Sequence, residues 1–203
     1  MGIKERRGRE EQSRLASILV AAESVFIEKG YHSARMDDIA ATAELAKGTL
    51  YYYFKSKDAI YLHLLQREAR KVHEEVRRLI SESSSFLEIL EKAFNFYLEY
   101  FDRNPGFLKM FLPCMCGFVR FEDAGAVRDS ARTYGDHAGF IRAALRKTIR
   151  REGLPFKLEE LEKFVQTMQI GISLMLLENR KAEARAAVRF FLDLIKHVME
   201  ESS

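Results

Sequence analysis

The sequence has no tryptophan, two cysteines, three prolines and eleven glycines in 203 residues. The two cysteines, Cys114 and Cys116, stand together in PCMCG and cannot make a disulfide framework. That points to a reducing cytoplasm, with both thiols as buried apolar groups and a thiol switch as the alternative. So little proline and glycine, with 31% charged and 47% apolar residues, excludes fibrous and low-complexity chains. A soluble, helix-rich protein with one or two cored units is expected. The longest apolar tract, near IGISLMLL, is short of the roughly 20 residues of a membrane span, and MGIKERRGREEQSR lacks the apolar centre of a signal peptide. No membrane association is expected. Phosphate-cradling glycine motifs, a nucleophile elbow and paired carboxylates on one face are all missing, so an enzyme is not expected. The five histidines are scattered, and Cys-x-Cys without further ligands is not a zinc spacing, so neither a metal nor a cofactor is expected.

What charge there is lies unevenly. Residues 1–80 hold 15 Lys+Arg against 12 Asp+Glu, and residues 81–203 hold 18 against 18, so the whole net +3 falls in the first part. An anionic partner there is implied.

The pattern is all-α, with about nine helices and no period-two alternation. SRLASILVAAESVFIEKG sets Leu15, Ile18, Ala22, Val25 and Phe26 on one face and stops at Gly30. MDDIAATA is a short helix with acids in its first turn. Glu44, Leu45 and Ala46 form a turn, and KGTLYYYF is a third helix. A fourth, opening at Lys55–Asp58, carries Tyr61, Leu65, Ala69, Val72, Val76 and Leu79 in register. At about 35 Å it is long enough to bridge two modules. Helices follow over 86–103, FLKMFLPCMCGF, 123–152 (Val127, Ala131, Tyr134, Ala138, Ile141, Leu145 in register), 158–177 and 182–200.

Two short helices joined by a three-residue turn and backed by an amphipathic helix make a helix-turn-helix pattern. With Leu50 and Phe54 inward, Gly48, Thr49 and Tyr52 point outward and Tyr51 and Tyr53 flank them. This face suits a major groove. Glycine admits a phosphate, Thr49 can bond a base edge, and tyrosine hydroxyls reach phosphate oxygens. Lys47 and Lys57 oppose the dipole at two helix starts, a sign that bound phosphate would reverse. The basic KERRGR (Lys4–Arg9) reads as a solvated tail, or as an arm along DNA.

The continuous stretch ILVAAESVFIEKGYHSARMDDIAATAELAKGTLYYYFKSKDAI (18–60) closely resembles the DNA-binding domain of the TetR family of bacterial transcriptional regulators. The resemblance implies that Lys47, Gly48 and Thr49 open the recognition helix, with Thr49 on a base. It also implies that Tyr51 and Tyr52 hold phosphates, that Tyr53 lies at the DNA surface, and that Lys57 completes the phosphate contacts. Ala34 and Ala46 stand where the family has hydroxyl caps, with Ser33 as a substitute. Arg35 stands where it often has Thr or Ser, offering a charged phosphate contact instead. The organisation expected is a DNA-binding domain over 1–57 and a ligand-binding and dimerisation domain over 58–203.

In that second domain, LEKFVQTMQIGISLMLL is apolar on nearly all sides, so it needs burial on more than one face. With the last helix it is expected to form a twofold homodimer through a four-helix bundle. The interface residues are Phe164, Met168, Gly171, Met175, Val188, Phe191, Leu192 and Ile195, with Gly171 and Ser173 allowing close approach. Such a dimer binds a palindromic operator in double-stranded DNA. The middle helices are dense in Phe and Met, which suits a core or an adaptable apolar pocket. The resemblance implies the pocket, enclosed by helices four to seven, with Phe94, Tyr97, Phe101, Phe107, Met110, Phe111, Cys114 and Met115 as its lining. Its guest would be a small hydrophobic effector whose binding respaces the two reading heads. The function expected is a ligand-responsive regulator, most readily a repressor. A helical protein-binding adaptor is the alternative, distinguished by a weak response to salt.

Overall fold

The computed structural model describes residues 3–201, and of residues 3–4 and 129–138 the backbone alone. The described residues form nine helices and no strand: α1 (Ile3–Ser33), α2 (Met36–Thr42), α3 (Lys47–Tyr53), α4 (Lys57–Ser81), α5 (Phe86–Arg103), α6 (Pro105–Met115), α7 (Ala124–Arg151), α8 (Leu158–Leu177) and α9 (Lys181–Glu201). None is long and apolar enough to cross a membrane.

Boundaries follow local chemistry. α1 breaks at Gly30, whose φ of 73° is left-handed and has no neighbour that a Cβ would strike. Glycine is needed there for its backbone, not for space. The break turns Tyr31 into the core. Ser56 caps α4 by accepting from Ala59 N–H at 3.1 Å, Ser85 caps α5, and Asp123 caps α7 through Gly125 and Ala126 N–H at 3.0 Å each. Asn104 and Pro105 separate α5 from α6. The basic KERRGR segment, expected as a tail, belongs to α1, which starts ten residues before the expected Ser13. The side chains of Ala131, Tyr134 and Ala138, placed in register by sequence, lie outside the described residues.

α1, α2 and α3 pack as a head around Ile18, Val25, Phe26, Ile39 and Leu50, each at most 3% exposed. α4 runs from this head along α7 and α5, and α8 and α9 close the far side. One buried cluster extends without a gap from Ile18 to Ile195, so packing is continuous across positions 57 and 58. The head meets the body closely at Gly106, where an added Cβ would lie 2.7 Å from Ile27 Cδ1.

Candidate nucleic-acid interface and effector cavity

α3 is seven residues long and spends two apolar positions on the core: Leu50 is fully buried and Phe54, its C-cap, nearly so. The outer face is what remains. Tyr52 is 71% exposed and Tyr51 44%, while Tyr53 is half-buried with its ring edge-on to Tyr52 at 5.3 Å. Gly48 is exposed with open space where a side chain would stand, and Thr49 is half-buried beside it. Lys47 reaches Asp37 on α2 at 2.5 Å, with both side chains largely exposed. An exposed pair of this kind contributes little and exchanges readily for another anion.

The missing cap of α3 is as expected, whereas the cap position of α2 is not the expected one. α3 begins after Ala46, whose extended backbone carries no side-chain cap. The α2 cap position is the exposed Arg35, and Asp38 reaches back to accept from its N–H at 3.0 Å. Ser33 lies in the last turn of α1 and Ala34 is buried in the core. Lys57 is not turned outward. Its Nζ donates to the carbonyls of Tyr31 at 2.8 Å and His32 at 3.4 Å and sits 4.4 Å from the centre of the Tyr31 ring. Both carbonyls lie just past the Gly30 break, and their partial negative charge draws the ammonium inward.

Beneath the head, Asp58 is 5% exposed and accepts three hydrogen bonds. They come from Tyr31 O–H at 2.5 Å, Glu122 N–H at 2.6 Å and Asp123 N–H at 2.8 Å. Ser56 O–H donates to Asp123 at 2.8 Å, and the Phe121 ring lies 5.4 Å from that of Tyr31. The loop between α6 and α7 is thereby fastened to the end of α1 and the start of α4. Burial, with the Asp58 carboxylate beside it, pushes the Tyr31 phenol far above its ordinary value.

In the body, α4 through α8 enclose a cavity of about 420 Å³, within the range of small-molecule sites. Tyr97, Phe101, Phe107 and Phe111 line it as expected, the last three with near-parallel rings 5.4 to 5.7 Å apart. Val72, Val76, Phe96, Tyr100, Ile141, Leu145 and Val165 complete the apolar wall. Four expected residues do not line it. Phe94 packs against Phe191 at 5.4 Å. Met110 and Cys114 lie off the cavity wall on α6, where Tyr61 O–H donates to Met110 C=O at 2.7 Å, and Met115 is only half-buried beyond them. The cause is helical phase: 107 and 111 share one face, and 110 and 114 the next. Burial raises the Cys114 thiol to about 12, so it is a neutral thiol at ordinary pH. α8 is a wall that the expectation of helices four to seven left out. It brings Gln166, Gln169 and Glu162, the last in a two-pronged pair with Arg142 at 2.5 and 2.7 Å.

Two further polar groups were invisible to sequence reading because their partners are far apart in the chain. Tyr97 O–H meets Ser173 Oγ at 2.7 Å, which turns Ser173 inward, not toward a partner. Tyr100 O–H donates to the nearly buried Glu68 at 2.9 Å, and Glu68 also accepts from Arg67 at 3.0 Å and Lys71 at 2.9 Å. Arg67 continues to Glu23 on α1 at 3.0 Å. Burial alone would raise the Glu68 carboxyl, but the bonds from Lys71, Tyr100 and Arg67 outweigh it and hold it below the usual carboxylate range.

On the outer face of α8 and α9, Phe164, Leu174, Phe190 and Leu194 are 49%, 50%, 72% and 47% exposed. Val188, Phe191 and Ile195, expected at an interface, are instead buried in the protomer's own core, where α9 packs on α5. Met168, Met175 and Leu192 are half-buried against that core, and a side chain at Gly171 would meet nothing. Among the described residues no group of His, Cys, Asp and Glu is placed to hold a metal ion.

Residues 18–64 match the family described as bacterial regulatory proteins, tetR family. The transcriptional activator FasR of Mycolicibacterium smegmatis is 33% identical over 91 residues, 45% of this chain and 42% of FasR. The fatty acid metabolism regulator protein of Bacillus subtilis is 32% identical over 82 residues, 40% of this chain and 42% of that protein. The chain thus spans less than half the length of these curated relatives. Among solved structures, FadR of Bacillus subtilis in complex with stearoyl-CoA superposes with a TM-score of 0.72 at 18% identity, covering 89% of this chain and 97% of FadR. FadR of Bacillus halodurans gives 0.70 at 17% identity, with the same coverage. These likenesses show a shared all-α fold from head to body.

Proposed function

We infer that this chain, whose head belongs to the TetR family of bacterial regulatory proteins, is a ligand-responsive transcriptional regulator that binds a palindromic operator as a homodimer in the cytoplasm. It is a binding protein, not an enzyme. The observation that carries this reading is the pairing of an outward Gly48, Thr49 and tyrosine face on α3 with a separate apolar cavity in the body. Thr49 reads a base, Gly48 admits the backbone, and Tyr51, Tyr52, Tyr53 and Lys47 hold phosphates, Lys47 by leaving Asp37. Arg35 at the start of α2 adds a charged phosphate contact. Lys57 acts indirectly, by holding the end of α1 in place. Residues 1–57 serve as the reading unit and 58–203 as the sensing and dimerising unit, through the exposed faces of α8 and α9.

The effector is an apolar chain. The cavity wall is mainly aliphatic and aromatic, and similar proteins named above are a fatty acid metabolism regulator and a FadR bound to stearoyl-CoA, so a long-chain acyl compound is the class proposed. Occupancy is felt at Tyr100, which lines the cavity and bonds Glu68. From there Arg67 on α4 and Glu23 on α1 connect to the head. A filled cavity favours an arrangement with the heads misplaced for the operator, so the apo dimer represses and the effector releases it. Selection of bound DNA from a random pool tests the reading. Enrichment of a palindrome supports it, and failure to enrich any at low salt sinks it. Stearoyl-CoA added to the selected complex then tests release.

A further inference from the structure

Among the described side chains, the first turns of α1 bury nothing. Residues 5–14 are all exposed, and the first residues of α1 to reach the core are Leu15 and Ile18. A helical segment without tertiary packing is marginal in water, and this one contains Gly8 at an exposed position. The stretch 4–14, KERRGREEQSR, has no aliphatic or aromatic side chain, so it offers no apolar anchor to a protein groove or to a lipid bilayer. It holds five Lys+Arg against three Glu, which is two of the net three positive charges of the whole chain. It also lies beside α3. Arg7, Glu10, Glu11 and Arg14 on one side and Tyr52 and Tyr53 on the other line an open groove of about 400 Å³.

We propose that this basic extension of α1 is a second DNA-binding element, which holds the sugar-phosphate backbone flanking the bases read by α3, with Arg7 and Arg14 as its contacts. The proposal rests on the reading of the head as DNA-binding and adds a surface outside the helix-turn-helix. Complementary charge and continuity with the exposed Tyr52 choose the polyanion as occupant. Of the two carboxylates in the groove, Glu10 is taken by Arg6 at 3.2 Å, and Glu11 stands between the two arginines, so anchoring falls to the ends. From Ile3 to Leu15 the helix runs about 18 Å, which is about five base pairs of duplex.

The test uses the full-length dimer on its selected palindrome, the Arg7→Gln/Arg14→Gln variant, and a chain lacking residues 2–14. Operator affinity is measured across a salt series, on DNA with long flanks and on DNA trimmed by about five base pairs at each end. Four arginines per dimer at about 0.9 each predict a log–log salt slope shallower by up to about 3.6. At least tenfold weaker binding near physiological salt is expected on long DNA, with an unchanged thermal midpoint. Trimming should weaken the unmodified protein and leave both variants unaffected. Affinity within twofold and the same slope in both variants would overturn the proposal while leaving the head's function intact. If the unmodified protein enriches no DNA, the functional reading itself fails, and the proposal with it.

Discussion

Tyr52 and Thr49 differ in what they can know about a DNA sequence. A phenol on a phosphate meets the same atom at every base pair, whereas a threonine at a base edge does not. Tyr52→Ala should weaken all operators alike, and Thr49→Ala should change the ranking among them by about 1–3 kcal/mol per base contacted. Competition binding with single-base operator variants checks both, and equal loss of ranking from the two changes would refute the assigned roles. Lys57 belongs to a different class. Its ammonium is held by the Tyr31 and His32 carbonyls, so Lys57→Ala should lower stability by about 1–2 kcal/mol. The salt slope of DNA binding should hardly change. Cys114, with its thiol raised to about 12, should resist alkylation in the native state and react only on unfolding. The outward tyrosines were legible from the angular spacing around Leu50 and Phe54. The inward Lys57 was not, because its acceptors are carbonyls 25 and 26 residues earlier, and carbonyls carry no sequence signature.

At the scale of the element, α3 starts without a side-chain cap, and its first residue, Lys47, opposes the dipole. Ala46 is exposed and already extended, so a serine there could accept from the N–H of the first turn without moving the chain. Ala46→Ser should raise stability by about 1 kcal/mol, read as a higher thermal midpoint. The α4 to α5 link makes a separate prediction through Glu68. A carboxyl whose folded pKa is lowered contributes stability above its unfolded pKa of about 4.3 and loses it as the pH falls through the folded value. Denaturant midpoints for Glu68→Gln should therefore be lower than for the unmodified protein at neutral pH and fall less steeply on acidification. Tyr100→Phe keeps the ring on the cavity wall but removes the hydroxyl, so stearoyl-CoA binding should persist while its effect on DNA binding shrinks. Helix ends were legible wherever a local signal marked them, such as Gly30, Asn104–Pro105 and the capping Ser56, Ser85 and Asp123. The phase of α6 was not, since both of its faces are apolar and only the packed neighbours decide which one meets the cavity.

For the whole molecule, the sequence pattern located α8 and α9 but not which of their faces the protomer's own core takes. Val188, Phe191 and Ile195 keep to the period of α9 and were natural choices, yet that period is used up by α5 and α8 of the same chain. The outer ridge of Phe190 and Leu194, one helical turn apart, is what remains for a second subunit. Phe190→Glu should give a monomer by light scattering with its helical content intact. Phe191→Ala should instead cost about 3–5 kcal/mol of stability, as a large core deletion.

The Asp58 contact bears on how such a molecule can be rearranged. One acceptor takes a hydroxyl from α1 and two main-chain N–H groups from the loop after α6, so neither partner alone satisfies it. A reading head transplanted onto another sensing body would need a loop of the same shape on the recipient, or leave a buried carboxylate without its donors. Heads and bodies of this design are thus exchangeable only as matched sets, and a chimaera joined just after Asp58, so that the carboxylate travels with the head, should recover its stability when residues 117–123 travel with it.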